Sequence, residues 1–178
     1  MGNTTNAKLK LVLMAGLPGA GKTTLSIKLS QELGWYVINK DCLKISLLNM
    51  GLDDLLAGNA AYRQSFDIAL DILTNHRNSV ILDSAALHSF ILEEAQAIIR
   101  RVENVQFKIV FCVADRDVRN LRLRTRPAQI TAIRVDPETI ADYFKEFKHL
   151  PPEPERLTLF TNRHISECLD EARAYLLQ

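Results

Sequence analysis

The octapeptide Gly16-Leu17-Pro18-Gly19-Ala20-Gly21-Lys22-Thr23 constrains this chain more than any other stretch. An apolar run precedes it at residues 8–15, and Leu25, Leu29 and Leu33 follow at helical spacing. The pattern G-x-x-x-x-G-K-[ST], set between a strand and a helix, describes a loop whose backbone amides turn inward. Glycines permit the dihedrals that a Cβ would obstruct. Together with the positive end of the helix, those amides form an anion cradle. Gly16, Pro18, Gly19, Ala20, Gly21, Lys22, Thr23 and Thr24 are therefore the expected phosphate-binding set. Lys22 is placed to reach the outer phosphates of a nucleoside triphosphate, and the Thr23 hydroxyl to ligate Mg²⁺.

The rest of the chain repeats the alternation of strand and helix. Gly34 marks the end of the first helix, and a short strand follows at residues 35–39. Tyr62, Phe66, Ala69, Leu70 and Leu73 predict a helix over 60–76. A third strand is expected at 79–83, a helix at 91–102 and a β-branched, aromatic strand at 105–114. Arginines crowd residues 116–126, and Pro137 opens an expected helix over 136–150. Pro151, Pro152 and Pro154 stiffen the connection to a fifth strand at 157–160 and a closing helix at 165–177. This alternation predicts an α/β fold, a parallel sheet between two helical layers. Residues 1–8 are expected to be a flexible N-terminus and 9–178 one domain.

A net charge of +1 over 178 residues argues against strong electrostatic capture of nucleic acid, which is possible here but not favoured. No apolar stretch approaches the ~20 residues of a membrane span. Three scattered cysteines give no disulfide framework, so a reducing cytoplasm is the expected location. Gly2 lacks the Ser or Thr at position six that myristoylation requires, since Asn6 stands there. The four histidines show no metal-ligand spacing and read as surface or capping residues.

Asp83 ends the apolar strand Val80-Ile81-Leu82-Asp83, at the sheet edge where open α/β sheets bind ligands. It is the expected second magnesium residue, acting through a metal-bound water. The alternative is a turn or helix N-cap, a role open equally to Ser84. Asn39-Lys40-Asp41 resembles a guanine-reading motif only superficially: it is one residue short and comes too early in the chain. Asp83 also lacks the following glycine of a GTPase switch, so GTP-dependent switching is excluded.

The segments GLPGAGKTTL, INKDCLK, VILDS and the arginine-rich helix together resemble the AAA-33-like small P-loop kinases. These are similar to polynucleotide 5′-hydroxyl kinases, zeta-toxin kinases and chloramphenicol phosphotransferase. The resemblance implies strand order 2-3-1-4-5, an arginine lid at about 115–135, and ATP-dependent transfer of a γ-phosphate to a hydroxyl. The acceptor would be a small molecule, a nucleoside or a nucleic-acid 5′-end, and the molecule a monomer or homodimer. Asp41 matches the general base past the second strand, its alternative being a helix cap for residues 42–49. Lys44 matches a substrate-phosphate arginine, supplying a point charge in place of a fork. Arg63 lies on the helix that often covers the acceptor pocket. Arg122 and Arg126 are expected to clamp the moving phosphoryl group and Arg119 to stack on adenine. Thr161-Asn162 falls where related kinases rest the adenine ring. The rival expectation is an ATPase acting as a nucleotide-dependent switch or assembly factor.

Overall fold

Leu11, Leu13 and Ala15 belong to one buried cluster, and Val12 and Met14 to another. That alternation is what a strand needs when it is covered on both faces. In the computed structural model, which describes residues 8–86, 88–125, 147–153 and 155–178, this strand is β1 (Leu9–Ala15) at the centre of the sheet. The other strands are β2 (Tyr36–Asn39), β3 (Val80–Asp83), β4 (Val105–Val113) and β5 (Arg156–Phe160). All pairings are parallel and the order is β2-β3-β1-β4-β5. The expected α/β fold and strand order are both present.

The helices divide between the two faces. Helices α1 (Lys22–Leu33) and α6 (Ile165–Leu176) cover Val12 and Met14 with Leu25, Leu29, Leu169, Ala172 and Leu176. The opposite face takes α3 (Asp54–Asp71) and α4 (Phe90–Arg101) through Phe66, Ala69, Ile91, Ala95 and Ile98. Two shorter helices stand at the C-terminal edge of the sheet: α2 (Lys40–Asn49) directly after β2, and α5 (Arg116–Thr125) after β4. Each fully buried Leu, Ile or Met contributes roughly 1.5–3 kcal/mol of transfer free energy.

Some boundaries differ from the sequence reading. Helix α3 begins at Asp54, not residue 60, and its last turn widens into a π-helical turn at Ile72–His76. Leu55 and Leu56 in its first turns are 73% and 58% exposed, so the apolar periodicity that marks the rest of the helix is missing there. Asp53 caps it, accepting from the Leu56 amide at 2.9 Å. The helix expected over 136–150 falls mostly outside the described residues, and residues 147–149 form one 3₁₀ turn. Two capping assignments are corrected. Asn39, not Asp41, caps α2, and α4 starts six residues after Ser84, with Ser89 at its N-cap position.

Candidate active site

The loop after β1 opens onto a cleft of about 990 Å³ at the C-terminal edge of the sheet. Because β1 is central, the cleft extends both ways from the loop. Over β2 and β3 it is lined by Asp41, Lys44, Tyr62, Asp83, His88 and Phe90. Over β4 and β5 it is lined by Arg122, Thr161, Arg163, Ile165 and Cys168, facing Thr24 and Ile27 of α1.

The loop itself is braced from within and from behind. Lys22 Nζ donates to the Gly16 and Leu17 carbonyls at 2.8 and 3.1 Å. The Ala20 amide closes a turn on the Leu17 carbonyl at 3.1 Å. Gly16 and Ala20 are buried behind the loop, whereas Pro18, Gly19, Gly21, Lys22, Thr23 and Thr24 line the cleft.

Behind the loop stands Thr161, 6% exposed, which the sequence reading placed only near the adenine ring. Its hydroxyl donates to the Ala20 carbonyl at 2.9 Å and accepts from Arg122 Nη1 at 3.0 Å. Arg122 also donates to the Gly19 carbonyl at 3.2 Å and to the Thr161 carbonyl at 2.6 Å. Arg122 thus lines the cleft while tying α5 to the loop and to the end of β5. Thr161→Val removes the hydroxyl that joins Ala20 to this arginine. The expected result is a loss of about 1–2 kcal/mol of stability, seen as a lower melting temperature, and a severalfold higher KM for ATP.

The other arginines are distributed differently from the expected lid. Arg119 is 3% exposed and does not line the cleft; its Nε donates to the Ala114 carbonyl at 3.2 Å. Its backbone packs against the loop, 2.8 Å from where a Cβ on Gly19 would sit. An arginine so buried is not placed to stack on a base. Burial, and secondarily Arg116, push its guanidinium below the ordinary arginine range. Arg63 is exposed on α3 and is absent from the cleft wall. Arg126 lies outside the described residues.

Asn39 and Asp83 sit side by side at the ends of β2 and β3. Asn39 Nδ2 donates to Asp83 Oδ2 at 3.0 Å, while its Oδ1 accepts from the Cys42 amide at 3.0 Å. One side chain therefore caps α2 and orients a carboxylate that is only 4% exposed. An Asx residue immediately before a helix was the available signal for it. Among the described residues no group of three His, Cys, Asp or Glu gathers into a metal cage. Mg²⁺ seldom needs one: it keeps waters and phosphate oxygens and takes one or two protein donors. A threonine hydroxyl at the head of α1 and the carboxylate of Asp83 fit that demand.

Asp41 lies in the first turn of α2, beside Lys40 Nζ at 3.4 Å, with its side chain 46% exposed. Lys44 is 9% exposed and pairs with Asp54 at 2.8 Å. Tyr62 packs in the core and also lines the cleft. Burial, and secondarily the charge of Asp41, push its phenol up to about 12, so its hydroxyl keeps its proton at neutral pH. His88, expected as a surface or capping residue, and Phe90, which no motif marks, complete this wall. His88 stands in the connection between β3 and α4, and Phe90 is the first residue of α4.

A phosphate-binding loop at the head of a five-stranded parallel sheet, with the Asp83 carboxylate at the end of the neighbouring strand β3, defines a small P-loop protein of the nucleotide-kinase-like fold. The chain belongs to the AAA-33 family, described as an AAA domain, whose model matches residues 11–150. Shikimate kinase 2 of Pectobacterium carotovorum subsp. carotovorum (strain PC1) is 29% identical over 118 residues, spanning 65% of this chain and 64% of that enzyme. The chain thus matches slightly less than two thirds of that relative. A candidate kinase from Chloroflexus aurantiacus J-10-fl superposes with a TM-score of 0.72 at 25% identity, over 95% of this chain and 99% of that one. The APS kinase CysC of Mycobacterium tuberculosis, solved with AMPPNP and APS, has a TM-score of 0.67 at 20% identity over 97% and 99%. The last is a likeness of fold. No described helix is long and apolar enough to cross a membrane.

Proposed function

We propose that this chain is an ATP-dependent phosphotransferase that moves the γ-phosphoryl group of ATP, with Mg²⁺, onto a hydroxyl of a small-molecule acceptor. The carrying observation is the continuity of the cleft, which joins Lys22 and Thr23 to Asp41 and reaches well past them to Phe90. A site for nucleotide alone has no use for that second arm.

In this reading the loop amides and Lys22 hold the triphosphate tail, and Thr23 and Asp83 serve Mg²⁺, Asp83 through water. The metal would neutralise charge on the phosphate oxygens. Asp41 accepts the proton of the acceptor hydroxyl as that oxygen bonds to the γ-phosphorus. The bond from γ-phosphorus to the β–γ bridging oxygen breaks, and ADP leaves with the electron pair. Arg122 lends positive charge beside the loop. The free thiols Cys42, Cys112 and Cys168 suit a reducing compartment such as the cytoplasm.

The test is a screen of hydroxyl compounds, 5′-hydroxyl oligonucleotides included, with γ-labelled ATP and Mg²⁺. Label is expected in an acceptor. Label released only as inorganic phosphate, with tight nucleotide binding and no acceptor anywhere in the panel, replaces the transferase by a nucleotide-dependent switch.

A further inference from the structure

Two lysines line the acceptor arm of the cleft, and both are already neutralised. Lys40 and Lys44 have side chains only 9% exposed. A buried ammonium is tolerated when it is paired. Lys40 faces the Asp41 carboxylate at 3.4 Å and stands 4.7 Å over the centroid of the Tyr62 ring. Lys44 holds Asp54 at 2.8 Å and packs its stem toward Gly58. Each lysine is matched by one carboxylate, and Asp83 adds a third carboxylate at the end of β3, so the arm carries no net positive charge. Among the described residues no other lysine or arginine lines this arm; Lys22 belongs to the loop, and Arg122 and Arg163 to the opposite end.

Beside the lysines the wall carries a group of rings. His88 and Phe90 are stacked, with centroids 5.7 Å apart and planes 15° from parallel. Both stand edge-on to Tyr62, at 6.4 and 5.5 Å. Phe90 is 37% exposed and Leu55 73%, and both face the cleft. A flat group entering here extends an existing stack and covers apolar surface. An anionic group instead meets Asp41 and Asp54, and gains Lys44 only by displacing its partner.

We infer that the acceptor is an uncharged alcohol carrying a planar or apolar ring, seated against the His88–Phe90 stack with its hydroxyl toward Asp41. This rests on the phosphotransferase reading and narrows it to a substrate class. The ring fixes the acceptor's position, and the balanced lysine–aspartate pairs reject phosphorylated or carboxylated versions of the same scaffold.

The experiment measures kcat/KM for three sets of acceptors with saturating ATP and Mg²⁺. One set holds uncharged nucleosides and aryl-substituted diols. A second carries the same scaffolds with a phosphate or carboxylate away from the reacting hydroxyl, together with 5′-hydroxyl oligonucleotides. A third holds acyclic polyols. The neutral ring compounds are expected to lead both other sets by at least about tenfold. Phe90→Ala should raise KM for the ring acceptor about tenfold, and more than it raises KM for ATP. Asp54→Asn uncovers the charge of Lys44, and its carboxylate is exposed enough for the fold to tolerate the change. It should raise the anionic-to-neutral ratio of kcat/KM roughly fivefold. A preference for the anionic or acyclic set overturns the substrate class and leaves the kinase standing. A ratio unmoved by Asp54→Asn also overturns it. Transfer to no alcohol, with ATP binding intact, removes the kinase reading and this inference with it.

Discussion

Asp41→Asn is expected to lower phosphoryl transfer by about 10²–10⁴-fold, the usual contribution of a positioned general base. Nucleotide affinity should stay within about twofold, since the loop that holds the triphosphate is built from other residues. The substitution is clean for a structural reason. Asn39 caps α2 through its own side chain, so Asp41 is not required to close the helix. Loss of a first-turn carboxylate weakens its interaction with the helix dipole by about 0.3–1 kcal/mol. Lys40 also loses its half-exposed partner and keeps the Tyr62 ring, a further change of about 0–1 kcal/mol, and the two together are too little to unfold the domain. Calorimetry with ATP and Mg²⁺, run beside the transfer assay, separates binding from chemistry. A variant that transfers at the parent rate moves the base elsewhere in the cleft. One that loses nucleotide binding as well shows that Asp41 supports the site instead of acting in it.

What the sequence disclosed, and what it withheld, follows the range of the interactions. Alternating strands and helices are written in local periodicity, so the sheet and its layers were readable. The loop was readable because glycine, lysine and threonine at fixed spacing leave few other solutions. Contacts across the sheet were not. The bond from Asn39 to Asp83 joins residues 44 apart, and the bond from Thr161 to Ala20 joins residues 141 apart. Only the packed sheet brings them together. The arginines show the same limit from the other side. Arg119 and Arg122 stand three residues apart, a spacing that lets them share a helix face, but spacing alone could not say that this face packs against the loop. Lys44 likewise reads as a lone cation until α3 delivers Asp54 to it.

Gly16→Ala should be the most destabilising single change in the loop. Gly16 has φ +131, and a Cβ built on it would sit 2.3 Å from the Cys112 carbonyl oxygen. That oxygen belongs to the backbone of β4, which β1 pairs along its whole length, so no flexible side chain can swing aside. Backbone strain and steric displacement together are expected to cost about 3–5 kcal/mol. In a domain of this size that lowers the melting temperature by roughly 10 °C. Gly34→Ala supplies the comparison. Gly34 also has a positive φ, +68, but nothing lies within 4 Å of its would-be Cβ. It carries the conformational penalty alone, about 1–2 kcal/mol. The difference between the two melts isolates the contact between loop and β4. If Gly16→Ala melts no lower than Gly34→Ala, that contact yields easily and is not what demands glycine there. If it melts much lower, β4 sets how close the loop may lie to the sheet. The amides that would grip phosphate are then held in place by a strand that never touches the ligand.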